Sequence, residues 1–149
     1  MTTIAYDGVI LSGDGRITNE SAIITDTAVK VYNISRLGAT YAEDRLIAVG
    51  VAGTLAHFDT TVAMIVSGDY KDDQDVSSII VGVKWVYELE PESDRWCRYT
   101  KSTQLAVGSG APYALSAMRL GKTAKEAVKH AMTCDCYSGG KITTLRCSG

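Results

Sequence analysis

The order in which the apolar pattern changes along this chain constrains its fold more than any other feature: strands, one helix, strands, two helices, and a final strand. Apolar runs of strand length and pattern occupy 4–6, 9–11, 28–34, 46–51, 78–89, 96–100, 104–107 and 142–146. Asp7-Gly8 joins the first two as a tight hairpin, a dipeptide suited to the positive φ angles of a type I′ turn. Gly53-Thr54 opens a helix on which Leu55, Phe58, Val62, Ile65 and Val66 share one face, and Gly68-Asp69 ends it. The charged stretch 71–75 reads as a solvated loop and 92–94 as a turn. Gly108-Ser109-Gly110 turns into a second helix with Pro112 in its first turn. Thr123, followed three residues later by Glu126, starts a third helix through a capping box and runs to about 134. Such an order suits two β-sheets with helices packed outside them, a layered α+β domain. At 149 residues, 46% hydrophobic and 21% charged, the chain suits one domain, 1–149, with a substantial core.

A net charge of −2 supplies no basic field for nucleic acid. Apolar stretches such as 79–83 are far too short to cross a bilayer, so no membrane association is expected. The first residues lack the basic and apolar regions of a signal peptide, which leads to an expectation of a cytoplasmic protein. In that setting Cys97, Cys134, Cys136 and Cys147 are expected to be free thiols. No Cys-x-x-Cys pair occurs, and neither His57 nor His130 completes a ligand spacing, so no metal or other cofactor is expected. Both histidines read as packing or surface residues, and Trp85 and Trp96 as packing or interface residues.

The chain begins Met1-Thr2-Thr3-Ile4. Threonine is small enough for the initiator methionine to be removed, which leaves a hydroxyl and a free α-amine on one residue. An α-amine of pKa about 7.7–8.0 is a base poised near neutral pH, and it can activate its own hydroxyl as a nucleophile.

Six segments spread from residue 2 to residue 140 carry a resemblance: Thr2-Thr3-Ile4, Gly13-Asp14-Gly15-Arg16, Thr27-Ala28-Val29-Lys30-Val31, Val51-Ala52-Gly53, Val107-Gly108-Ser109-Gly110, and Asp135-Cys136-Tyr137-Ser138-Gly139-Gly140. Each is common by itself. In this order they resemble the β-subunits of the proteasome and of its bacterial relative HslV, within the N-terminal-nucleophile hydrolases. The resemblance implies a four-layer αββα sandwich of two antiparallel sheets with outer helices. It implies a threonine-type peptidase in which Thr2 attacks, Lys30 places a positive charge beside it, and Asp14 holds Lys30. Gly53 would donate its N–H to the oxyanion, and Ser109, Asp135 and Ser138 would orient the amine. Arg16 would support the site. By position relative to these motifs, Ile17, Ala28, Tyr32, Val51 and Leu55 would line the pocket for the residue before the scissile bond; none is charged, which predicts an apolar preference. The implied partners are a polypeptide substrate, further copies of the chain in a ring or stacked rings, and an ATP-dependent unfoldase.

The chain departs from that pattern in a shorter first hairpin, an insertion at 35–44, and a charged stretch at 68–77 that is too short for the second helix of the first pair. Two other readings remain open from sequence: an amidase acting on a small amide through the same Thr2 chemistry, and a catalytically silent structural or regulatory subunit that keeps Met1.

Overall fold

The structure is a computed structural model that describes residues 2–69, 75–91 and 96–147. In chain order its strands are β1 (Ile4–Tyr6), β2 (Ile10–Gly13), β3 (Ile17–Asn19), β4 (Ala22–Thr25), β5 (Val31–Asn33), β6 (Thr40–Tyr41), β7 (Asp44–Gly53), β8 (Val76–Gly82), β9 (Trp85–Leu89), β10 (Cys97–Thr100), β11 (Leu105–Val107) and β12 (Thr143–Arg146). The helices among the described residues are α1 (Phe58–Ser67), α2 (Ala111–Arg119) and α3 (Ala124–Cys134). One antiparallel sheet has the order β11-β1-β2-β12. A larger antiparallel sheet runs β10-β9-β8-β7-β5, with β6 also paired to β7, and β3 and β4 form a separate hairpin.

Three apolar clusters tie these elements together. Ile4, Tyr6, Leu11 and Val107 of the smaller sheet meet Val31, Ala48, Ile79 and Val86 of the larger one. Phe58 and Ile65 of α1 pack with Val49, Val51, Ile80 and Tyr87 of the larger sheet. Ala114, Met118, Val128 and Ala131 of α2 and α3 pack with Ala5 of β1. Strands whose alternate residues enter different clusters explain the near-continuous apolar runs in β7 and β8, because both faces of those strands are buried.

Several local expectations hold. The capping box forms in both directions, Glu126 N donating to Thr123 Oγ1 at 3.2 Å and Thr123 N to Glu126 Oε1 at 3.0 Å. Pro112 lies in the first turn of α2, and all four cysteines are free. The stretch 71–74, the turn at 92–94, and Met1 lie outside the described residues.

The β3–β4 hairpin and β6 are strands that the sequence pattern does not predict, and four further details differ from the sequence reading. The run 78–89 is not one strand but the β8–β9 hairpin, broken at Val83-Lys84. The cause is Asp44, fully buried, whose carboxylate accepts hydrogen bonds from Lys84 N at 2.9 Å, Trp85 N at 3.1 Å and the Tyr87 hydroxyl at 2.9 Å. It also fills the space where a side chain at Gly82 would stand, so glycine is required at the strand end before the turn. The run 28–34 keeps strand geometry only over β5, because Ala28 N turns to the carbonyl of Gly15, 2.9 Å away. In the first hairpin Gly8 alone has a positive φ, +104°, so the turn is not type I′; Asp7 instead accepts from Val9 N and Ile10 N and, through its other oxygen, caps α3 at Ala124 N. Finally, the helix after Gly53 begins as a 3-10 turn, Leu55–His57, and Leu55 lies outside the buried face, with Phe58, Thr61 and Ile65 inside it.

Candidate active site

The six segments converge on the start of β1. Asp14 N donates to the carbonyl of Thr3 at 3.1 Å, which carries the ladder of β1 and β2 past the strand end and sets Asp14 beside the N-terminal segment. Lys30 precedes β5, and Val51 N of β7 donates to its carbonyl at 2.9 Å. The turn between β11 and α2 folds over Thr2: Gly110 N donates to the Thr2 carbonyl at 3.2 Å, and Gly108 has φ +98° with its missing side chain facing that same carbonyl. Any L side chain at Gly108 meets both a strained backbone and the Thr2 oxygen. Asp135 caps the C-terminus of α3, and Ser138 follows in the turn before β12.

Thr2, Asp14 and Lys30 are all fully buried. The Lys30 Nζ is 2.9 Å from Thr2 Oγ1, 2.9 Å from Asp14 Oδ1 and 2.5 Å from the carbonyl of Arg16. Burial pulls the Lys30 ammonium below its ordinary pKa, and the adjoining Asp14 carboxylate opposes that pull. Asp14 in turn accepts from three backbone donors: Thr3 N at 3.1 Å on one oxygen, Gly139 N at 3.0 Å and Arg16 N at 3.3 Å on the other. A carboxylate so fully hydrogen-bonded is held in place even without water.

A second network meets the first at Thr2. Thr2 N donates to Ser109 Oγ at 3.2 Å, and Ser109 Oγ donates to Asp135 Oδ2 at 2.6 Å. Ser138 Oγ donates to the same Asp135 oxygen at 2.7 Å. Burial alone would raise the Asp135 pKa, but the hydrogen bonds from Ser109, Ser138 and Tyr137 N outweigh it and hold it below the usual carboxylate range. Thr3 completes the cluster, its hydroxyl 2.7 Å from Ser138 Oγ. Adjacency to Thr2 is the one sequence signal that points to Thr3.

Arg16 enters this centre through its backbone and not through its side chain. Its guanidinium pairs with Asp26 at 2.8 Å and donates to the carbonyl of Cys136 at 3.2 Å, tying the turn after β2 to the turn after α3. Nothing in the sequence marks Asp26 for this role, because the pairing depends on how the β3–β4 hairpin returns.

Gly53 ends β7 with φ +145°, its Cα packed against the carbonyl of Asp75. It lies at the head of the 3-10 turn rather than of an α-helix. A cleft of about 470 Å³ opens here, walled by 17–19 on one side and 53–56 on the other, with Asp75 also lining it. Of the five residues expected to form a pocket, Ile17 and Leu55 line this cleft. Val51 is instead fully buried under α1, Tyr32 packs half-buried against that same cluster with its hydroxyl on the carbonyl of Val29, and Ala28 is half-buried. Asp75 is joined by Thr54, whose hydroxyl donates to Oδ2, and by His57, whose Nδ1 is 2.7 Å from Oδ1. Eighteen residues separate His57 from Asp75, so no local pattern in the sequence marks the three as a group.

Chemically, a cation 2.9 Å from a buried hydroxyl stabilises the alkoxide of that hydroxyl, and the Ser109–Asp135 pair fixes the nitrogen on the same residue. No protein-family model matches this sequence, and no curated protein does. Among solved structures, a eukaryotic HslV from Trypanosoma brucei is similar, with TM-score 0.74 and 17% sequence identity over 99% of this chain and 99% of that one. At that identity the likeness speaks for architecture: this chain has an HslV- and proteasome-like fold.

Proposed function

We propose that this chain is a threonine-type endopeptidase subunit that cleaves unfolded polypeptides, with Thr2 as its nucleophile once Met1 is removed. The observation that carries this reading is the buried Lys30 ammonium, 2.9 Å from both Thr2 Oγ1 and Asp14 Oδ1, beside the second residue of the chain. Elsewhere in a core, a lysine, an aspartate and a threonine so fully desolvated would be an expensive way to fill space.

With Met1 present, the Thr2 nitrogen is a peptide nitrogen and cannot take a proton. After its removal the nitrogen is an amine, held toward Ser109 Oγ. The amine takes the Thr2 hydroxyl proton, directly or through a water, while Oγ1 forms a bond to the substrate carbonyl carbon. Lys30 offsets the charge on Oγ1 as the proton leaves. Gly53 N–H supports the oxyanion. As the tetrahedral species collapses, the C–N bond breaks and the ammonium returns its proton to the leaving amine. Water then attacks the ester on Thr2, with the same amine as base, and releases the acid product.

The same reading takes the three apolar clusters as the interfaces of a four-layer αββα sandwich formed by a single domain, 1–149. It takes the chain to be one copy in a homo-oligomeric ring or stacked rings in the cytoplasm, fed by an ATP-dependent unfoldase. Ile23, Ile24, Val29 and Leu37, each more than half exposed, support an apolar contact with a neighbouring copy.

Intact-mass measurement of the purified protein together with a Thr2→Ala variant tests this function. Alanine at position 2 still permits methionine removal. Loss of Met1 is expected in both proteins, with peptide hydrolysis falling by roughly three powers of ten or more in the variant. Complete retention of Met1 in the folded protein, or full activity in Thr2→Ala, overturns the reading.

A further inference from the structure

We infer that the cleft beside Gly53 selects a basic side chain, and that Asp75 is the residue that determines this. The inference rests on the peptidase reading above and names its substrate class: polypeptides with Lys or Arg immediately before the scissile bond.

The cleft begins where the buried centre ends. One wall continues from Arg16, whose carbonyl accepts the Lys30 ammonium, into 17–19. The other continues from Ala52, against which the Gly108 turn packs, into 53–56. A peptide whose carbonyl is bound at Gly53 N–H therefore sends the side chain of that residue into this cleft. Among the described residues that line it, Asp75 is the one charged side chain and the others are neutral.

Asp75 is also fixed. Its backbone is packed on Gly53, and the register of β7 with β8 pairs Gly53 with Val76, the next residue. Its carboxylate is held by the Thr54 hydroxyl on one oxygen and by His57 Nδ1 on the other. Those hydrogen bonds hold its pKa below the usual carboxylate range, the Thr54 bond contributing most. A carboxylate has about four acceptor positions, so both oxygens retain capacity for an incoming ammonium or guanidinium. An apolar side chain fits the stem of such a cleft, made by Ile17 and Leu55. A basic side chain fits the stem and also meets the charge. An acidic one is repelled. Asp75 is remote in sequence from the five uncharged residues whose composition predicts an apolar preference.

Two measurements test this separately from catalysis. The first is kcat/KM for a pair of fluorogenic peptides identical except for arginine or citrulline before the cleaved bond, in the wild-type protein and in Asp75→Asn. Citrulline keeps the shape of arginine without its charge. A preference for arginine of about fivefold or more is expected in the wild type, falling to near unity in Asp75→Asn. The second is equilibrium binding of the same two peptides to Thr2→Ala, with and without Asp75→Asn, which needs no turnover. If Thr2-dependent hydrolysis is present but arginine and citrulline are cut equally by the wild type, the cleft inference is overturned and the peptidase reading stands. If hydrolysis is absent and Thr2→Ala still binds arginine preferentially through Asp75, the cleft inference stands and the peptidase reading fails. Equal binding in Thr2→Ala together with no hydrolysis overturns both. An arginine preference that persists in folded Asp75→Asn overturns the role of Asp75, and a wild type without preference overturns the inference whether or not that variant folds.

Discussion

Two small groups in this molecule are built from nearly the same parts, and they behave as opposites. Thr2, Lys30 and Asp14 join a hydroxyl, a cation and a carboxylate with no exposed surface at all. Thr54, His57 and Asp75 join a hydroxyl, an imidazole and a carboxylate at the rim of a cleft, with the His57 and Asp75 side chains 42% and 57% exposed. In the first group each charge is held in a medium that screens poorly, so every partner is needed and none can relax toward water. In the second, water takes over whatever a lost partner leaves behind. The comparison separates a place where a charge can alter the chemistry of a neighbouring atom from a place where a charge can only sort what approaches.

The largest expected effect follows from removing the buried cation. Lys30→Ala leaves Asp14 charged and enclosed, and should destabilise the fold by about 3 kcal/mol, the lower part of the range for breaking a buried pair, because three backbone N–H groups still solvate the carboxylate. Urea denaturation reads this directly, and a change under about 1 kcal/mol would mean that the two groups are not so different after all. Peptide hydrolysis should fall with it by several powers of ten, as for Thr2→Ala.

Ser109→Ala comes next. It removes the acceptor for the Thr2 nitrogen and one of the donors to Asp135, while leaving Lys30 and Asp14 untouched. Hydrolysis should fall by roughly 10- to 100-fold, with stability reduced by about 1 kcal/mol. A loss larger than that of Thr2→Ala would reverse the roles given to these residues.

A smaller effect is a slope rather than a step. Asp135 has a folded-state pKa below its unfolded one, so it binds fewer protons when folded. Its contribution to stability is therefore fully present above the unfolded carboxylate pKa and is lost as pH falls through the folded value. Thermal unfolding from neutral pH downward should show Tm decreasing below about pH 4 in the wild type, and a shallower decrease in Asp135→Asn. Parallel curves would detach Asp135 from the stability of the buried cluster.

The smallest effect belongs to the exposed group. His57→Ala should change stability by less than about 1 kcal/mol, and raising the salt concentration should narrow even that difference. A larger, salt-insensitive loss would place this group with the buried one and erase the contrast.

Much of the architecture is legible in the residues. The capping box at Thr123 and Glu126 and the helical start after Gly110 are local, so side-chain chemistry within a few positions decides them. The segments containing Thr2, Asp14, Lys30, Ser109, Asp135 and Ser138 stand out only through their joint resemblance, in order along the chain, to a known family, since each is common by itself. Their distances are not legible there, since the contact of Lys30 with Thr2 spans twenty-eight residues and that of Ser109 with Thr2 spans 107.

What the sequence determined by itself is the three helices, their starts and most of the longer strands, because propensity, capping and turn chemistry act over a few residues. Only the tertiary structure decided the break at Val83-Lys84, which depends on the Asp44 carboxylate arriving from another strand. It alone decided that Val51 is buried, because Phe58 and Ile65 of α1 pack with it. It alone brought Asp75 to Gly53, through the pairing of β7 with β8. These outcomes rest on contacts between residues far apart in the chain, and their strength depends on burial, a property that no single residue possesses until the fold surrounds it.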